Sequence, residues 1–183
     1  MKKAVVIGGS NGIGLAITNQ LIKKGFFVSI LDIKVPDDNS LYDKSLYEYH
    51  YIDLLNLDVF DLEIFKNDED VQLLMITAGF GRVAPFESLS ITEIRNMMQV
   101  NASATIQILR FFYDRIRSDK DFYTGVMVSI AGIVSSPLFS VYAASKAALN
   151  RMIESVNIEL EEAGVSNRIL NVSPGSIKGT AFN

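Results

Sequence analysis

The amino-acid sequence predicts an α/β fold, a parallel sheet with helices packed on both faces. Short apolar runs alternate along the chain with longer stretches of helical period. The runs are continuous, as expected of strands buried on two faces. No internal repeat, low-complexity tract or Pro/Gly/Ser-rich linker interrupts them, so residues 1–183 read as one domain.

Residues 4–7 (Ala-Val-Val-Ile) are predicted as the first strand, and 12–24 as a helix that Gly25 ends. Residues 26–31 form the second strand, closed by Asp32. The stretch 35–45 is polar and irregular, and 46–52 reads as a third strand. A short acidic helix is expected over 56–67, then a strand over 71–77 ending in Ala78-Gly79. A long helix over 92–117, a strand over 126–130 and a helix over 142–163 follow. The last strand, 168–172, precedes Pro174-Gly175. This succession fits a three-layer, doubly wound sheet of the Rossmann type with strand order 3-2-1-4-5-6. Ligands of such sheets sit beyond the carboxyl ends of the strands, so functional residues are expected just after Ile7, Leu31, Thr77, Ile130 and Val172.

Composition narrows the function classes. With 49% apolar and 21% charged residues, the chain is not disordered. Its 17 basic against 21 acidic residues and pI near 5.0 leave no basic stripe for nucleic acid or an anionic membrane. The absence of cysteine excludes disulfides, thiolate metal sites and thiol catalysis. The single histidine, His50, lies among Tyr47, Tyr49 and Tyr51 and reads as packing, which argues against a histidine metal site or a Ser-His-Asp triad. The apolar start stops at Gly8, too early for a signal peptide, and no stretch approaches the ~20 apolar residues of a membrane span. A soluble, cytoplasmic protein is expected.

The turn Gly8-Gly9-Ser10-Asn11-Gly12-Ile13-Gly14 connects the first strand to the first helix. Glycines at 8, 12 and 14 permit a tight turn, close backbone approach to a ligand and close helix-on-strand packing. The helix start aims free N–H groups at the turn's occupant, for which a pyrophosphate is the natural choice. Asp32 stands where a carboxylate can accept both ribose hydroxyls of an adenosine, favouring NAD over NADP; Lys34 nearby keeps NADP open. A strand-end turn residue is the bland alternative for Asp32.

Tyr142 and Lys146 lie one helical turn apart, on the same stripe as Leu149, Ile153, Val156 and Leu160. A lysine on a buried stripe is costly unless it has a role. Beside a phenol, its ammonium favours phenolate and is expected to lower the tyrosine pKa toward neutral. Tyr142 then becomes a general acid/base in a chain with almost no histidine. Asn101 sits in the middle of another inward stripe, Ile94, Met97, Met98, Thr105, Ile108 and Phe112. It could bend its helix and hold a water through its backbone carbonyl, or be a satisfied core asparagine.

Taken together and in order, Gly8…Gly12-Ile13-Gly14, Asp32, Asp53, Ala78-Gly79, Asn101, Ser129, Tyr142-x-x-x-Lys146 and Pro174-Gly175 resemble the short-chain dehydrogenase/reductase family, the subgroup with the glycine motif T-G-x-x-x-G-x-G. The resemblance implies an NAD(P)-dependent oxidoreductase acting on an alcohol/carbonyl pair. Tyr142 would exchange a proton with the substrate oxygen, and Ser129 would hydrogen-bond that oxygen. Lys146 would bind the nicotinamide ribose, and Asn101 would anchor a relay water. Ser10, Asn11 and Ile13 belong to the implied cofactor turn. Asp53 and Leu54 would contact adenine; Thr77, Ala78 and Gly79 would line the ribose and pyrophosphate; and Pro174, Gly175 and Ile177 would approach the nicotinamide side. The family also implies a homodimer or homotetramer, paired here through helices 92–117 and 142–163, and no metal.

Four departures stand out. Ile7 replaces the family's threonine, and Ile76-Thr77-Ala78-Gly79 stands where Asn-Asn-Ala-Gly is usual, with only Thr77 able to substitute in part. The threonine at Thr180 comes one place late. Family members usually continue past the position of Asn183 into a substrate-covering segment and a seventh strand, so a pocket open on one side is expected, completed by further chain, a partner or the substrate. Two rival readings share these motifs: a non-catalytic NAD(P)-sensing module, and a sugar-nucleotide epimerase or dehydratase, whose G-x-x-G-x-x-G spacing fails at Leu15.

Overall fold

The computed structural model describes residues 1–176. Six parallel strands, β1 (Lys3–Ile7), β2 (Phe27–Asp32), β3 (Tyr47–Tyr51), β4 (Val71–Ile76), β5 (Tyr123–Met127) and β6 (Ile169–Val172), form one sheet in the order β3-β2-β1-β4-β5-β6. This is the topology expected from the sequence. The order reverses between β1 and β4, which opens a crevice beyond their carboxyl ends.

The continuous apolar runs have a simple reason. Along β1, Val5 and Ile7 enter one core and Ala4 and Val6 the other, because side chains alternate between faces. The first core joins them to Leu74, Ile76 and Val126, under Ile108 of α4 (Ala104–Phe111) and Leu149 and Ile153 of α6 (Ser140–Glu162). The second joins Val28, Ile30 and Met75 to Leu21 and Ile22 of α1 (Gly12–Lys23). Both faces are therefore dry. His50 packs edge-on against Phe65, with ring centroids 5.0 Å apart.

Three local expectations are corrected. The acidic helix over 56–67 is instead two 3₁₀ turns, Leu54–Asn56 and Val59–Leu62, and a single α-turn, α2 (Glu63–Lys66). Asp53 and Asp58 accept from the backbone N–H groups of Leu55 and Phe60, and such local side-chain bonds compete with a continuous helix. Strand β5 begins and ends three residues earlier than expected. It includes Gly125, the position where the Met75 sulfur packs: a Cβ there would lie 2.6 Å from it. The helix over 92–117 is interrupted. It runs as α3 (Ile91–Met98), a π-turn (Gln99–Ser103), α4 and α5 (Tyr113–Ile116). Among the described residues, no helix is long and apolar enough to cross a membrane.

Candidate active site

The glycine turn is built from close backbone approaches. A Cβ on Gly14 would lie 1.9 Å from the Gly8 carbonyl oxygen, and one on Gly8, at φ +84°, would lie 2.5 Å from the Ala78 nitrogen. Only glycine fits either position. The Thr77 hydroxyl lies 3.0 Å from both the Ile7 and the Gly8 carbonyl oxygens. It ties the turn down from β4, where Ile7, fully buried, has no hydroxyl to do so. On the other side, Asp32 accepts from the Ser10 N–H at 3.1 Å and the Lys34 N–H at 3.3 Å, and the Ser10 hydroxyl donates to the Lys34 carbonyl. The turn is thus latched to both flanking strands.

Asn11 precedes α1 without capping it through its side chain, and the first turn of α1 carries no acidic residue. The exposed N–H groups face a crevice of about 790 Å³, a size that suits a bound organic cofactor. Gly8, Asn11, Gly12, Ile13, Gly14, Asp32, Asp53, Leu54, Thr77, Ala78 and Gly79 line it. A Cβ on Gly12 would meet nothing within 4 Å. A dinucleotide would fit this cradle, with the α1 N-terminus holding its pyrophosphate and Asp32 its adenosine. Ser10 acts behind the lining through its latch, and the Asp53 carboxylate is occupied in holding the 54–56 turn through Leu55 and Asn56.

At the other end of the crevice, α6 presents Tyr142 and Lys146 on one face. The Lys146 ammonium sits 5.8 Å from the Tyr142 ring centroid and donates to the Met127 carbonyl at 2.8 Å. Lys146 is only 3% exposed, and burial pulls its pKa from 10.5 to about 8. Ser129 caps the 3₁₀ turn Ile130–Gly132, its oxygen accepting from the Ala131 N–H at 3.1 Å. It also hydrogen-bonds the Tyr142 phenol.

One electrostatic expectation is overturned. Tyr142 is 8% exposed, and burial pushes its phenol above the ordinary value, with Ser129 pulling the other way. Desolvation penalises phenolate, and the Lys146 ammonium, spent on Met127, does not outweigh it.

Asn101 lies inside the π-turn with no exposed surface. Its amide is satisfied on three sides: Oδ1 accepts from the Phe80 N–H at 2.9 Å, while Nδ2 donates to the Phe80 carbonyl at 2.7 Å and to Ser145 Oγ at 3.1 Å. The widened turn brings this amide to the loop after β4. A Cβ on Gly79 would come within 3.1 Å of Asn101 Oδ1 and 3.3 Å of Lys146 Nζ, so that glycine lets the three elements converge. Ser145 was not anticipated. It is fully buried and donates to the Tyr142 carbonyl at 2.7 Å, joining Asn101 to the helix that carries the tyrosine. The signal was present, a lone hydroxyl among the alanines of Tyr142-Ala-Ala-Ser-Lys146. Pro174, Gly175 and Ser176 also line the crevice, whereas Ile177 lies outside the described residues.

Comparison with known proteins agrees with this geometry. A family model described as short chain dehydrogenase matches residues 2–183. The uncharacterized oxidoreductase TDA5 of Saccharomyces cerevisiae is 27% identical over 97% of this chain and 56% of its own length. An NADPH-dependent 3-dehydrocapnine reductase of Ornithobacterium rhinotracheale is 27% identical over 97% of this chain and 66% of its own. The chain thus spans roughly three-fifths of the curated relatives it matches. Among solved structures, a 4-hydroxyisoleucine dehydrogenase complexed with NADH superposes with a TM-score of 0.81 at 25% identity, covering 97% of this chain and 74% of that one. With the family model matched along almost its whole length and the Ser129, Tyr142 and Lys146 side chains gathered at one end of a dinucleotide-sized crevice, the chain belongs to the short-chain dehydrogenase family.

Proposed function

We propose that this chain, acting as one unit over residues 1–183, is an NAD(P)-dependent oxidoreductase that interconverts an alcohol and a carbonyl compound, with NAD preferred. The observation that carries the reading is the convergence of Tyr142, Ser129 and Lys146 on the crevice whose far end holds the uncapped N-terminus of α1. A bound nicotinamide would supply a hydride to the carbonyl carbon, or accept it from the alcohol carbon.

Tyr142 delivers the matching proton to the carbonyl oxygen. Its burial keeps the phenol protonated, which is the form that carbonyl reduction needs. Ser129 donates a second hydrogen bond to the same oxygen and steadies the charge that develops there. Lys146 would bind the nicotinamide ribose and help stabilise the phenolate that remains after proton transfer. Asn101, locked to Phe80 and Ser145, positions α6 against the loop after β4 and would anchor a relay water through its backbone carbonyl. Asp32 reads the adenosine ribose, and its negative charge disfavours a 2′-phosphate.

Pairing of copies through α3–α4 and α6 and a cytoplasmic location belong to the same proposal; light scattering and cell fractionation check them. The decisive experiment is Tyr142→Phe, followed by NADH oxidation against a panel of ketones. Turnover is expected to fall by roughly 10²–10⁴-fold, with NADH affinity within a few-fold of the parent. Undiminished turnover would remove the proton-transfer role.

A further inference from the structure

We infer that the carbonyl compound taken by this site is uncharged at its far end and carries an apolar body several carbons long, seated on a lip beyond β4 and β5. The inference rests on the oxidoreductase reading above and deepens it.

The lip comes from two loops. Phe80 and Val83 follow β4, while Ile130, Val134 and Phe139 follow β5, and all five line the crevice at the Tyr142 end. Ile130 and Val134 remain 50% and 57% exposed, large branched side chains turned to the opening rather than to either core. The loops are braced. The Ala84 N–H donates to the Leu138 carbonyl at 3.0 Å, joining one loop to the other, and the Ile130 N–H donates to Pro174 at 3.0 Å. A Cβ on Gly132 would lie 2.7 Å from the Lys146 carbonyl carbon, so the second loop rides directly on α6. These apolar side chains are held open by the backbone, beside the groups that handle the reacting oxygen.

Charge tells the same story. Among the described residues, the charged ones lining the crevice are Asp32, Lys34, Asp53 and Lys146. The first three stand at the adenosine end, and Lys146 is buried against Met127. Arg82 lies in the lip itself, between the lining residues Gly81 and Val83, and is the obvious partner for a carboxylate or phosphate. Its guanidinium is instead paired with Glu93, which also closes a capping box with Ser90 at the start of α3. Hydrogen bonds from Ser90 and Arg82 hold Glu93 ionised, down to a pKa of about 2. Among the described residues, an anionic substrate tail would therefore lose its hydration on Ile130 and Val134 with no cation in return. An apolar tail gains about fourfold in binding per methylene buried.

A matched pair of ketones tests this: 2-octanone and 7-oxooctanoate, differing only in the terminal carboxylate. With the full chain and NADH, kcat/KM for 2-octanone is expected to exceed that for 7-oxooctanoate by at least ~30-fold. Equal or reversed efficiencies overturn the inference. Equilibrium binding of the two ketones to the NADH-loaded Tyr142→Phe protein, read by nicotinamide fluorescence, separates this claim from the catalytic one. A preference for 2-octanone there, with no turnover of either ketone by the parent protein, would sink the oxidoreductase reading and keep the apolar lip. No preference, or no binding of either ketone, overturns the lip. Val134→Asp should weaken 2-octanone binding to the NADH-loaded protein by tenfold or more; an unchanged affinity for 2-octanone also counts against the inference.

Discussion

The two ends of the crevice are built on different physics. At the β1–β2 end, the proposed cofactor recognition rests on the backbone: glycines that admit no side chain, N–H groups at the α1 start, and a turn latched by Thr77, Ser10 and Asp32. At the β4–β5 end, the proposed chemistry rests on side chains, and an apolar lip surrounds them. The first end has almost no freedom, because its contacts are backbone-to-backbone. The second keeps its three polar groups fixed through Asn101, Ser145 and Met127 while the lip residues tolerate exchange. A cofactor common to a whole family suits the rigid end, and a variable substrate suits the other.

Breaking the rigid end should have the largest effect. Gly14→Ala places a methyl group 1.9 Å from the Gly8 carbonyl oxygen, so the turn must open. NADH affinity is expected to fall by about 100-fold or more, with a lower melting temperature, as read by calorimetry and thermal denaturation. The reactive end should respond to pH instead. Lys146 has a folded pKa of about 8, below the ordinary 10.5. Below pH 8 folded and unfolded chains both hold the proton, and the burial penalty, about 3 kcal/mol, is fully felt. Between 8 and 10.5 the folded chain releases the proton first, so stability rises with pH. Thermal melts of the cofactor-free protein from about pH 7.5 to about pH 9.5 should show that rise, and Lys146→Met should flatten it.

Smaller effects sharpen the contrast. Asp32→Ala should shift the NAD to NADP preference by roughly tenfold toward NADP, measured as the ratio of dissociation constants. An unchanged ratio would mean that the ribose is read elsewhere. Thr77→Val keeps the shape but removes the tie to Ile7 and Gly8. It should cost about 1–2 kcal/mol of stability and a few-fold in NADH affinity, with Thr77→Ser retaining most of both.

Local rules made much of this legible. The sheet order follows from alternating strand and helix periods, and the glycine turn from residues that must take a positive φ or admit a neighbouring backbone. The Tyr142–Lys146 pair follows from the four-residue helical repeat. Where local chemistry competed with periodicity, the reading failed. Asp53 and Asp58 divert the backbone into 3₁₀ turns although their surroundings have a helical pattern. The strand expected over 126–130 starts instead at Tyr123 and takes in Gly125, where the Met75 sulfur occupies the space a side chain would need.

The order of the elements, the cradle for a phosphate and the candidate catalytic set were therefore already written in the chain, because each depends on neighbours within a turn or a strand. Contacts between distant positions settled the rest. Thr77 restrains a carbonyl 69 residues away, Asn101 finds Ser145 across two helices, and Arg82 gives its charge to Glu93 instead of to a ligand. The direction of the Tyr142 shift belongs to this second group. Spacing sets the distance to an ammonium, but how much water each group loses depends on everything folded around it.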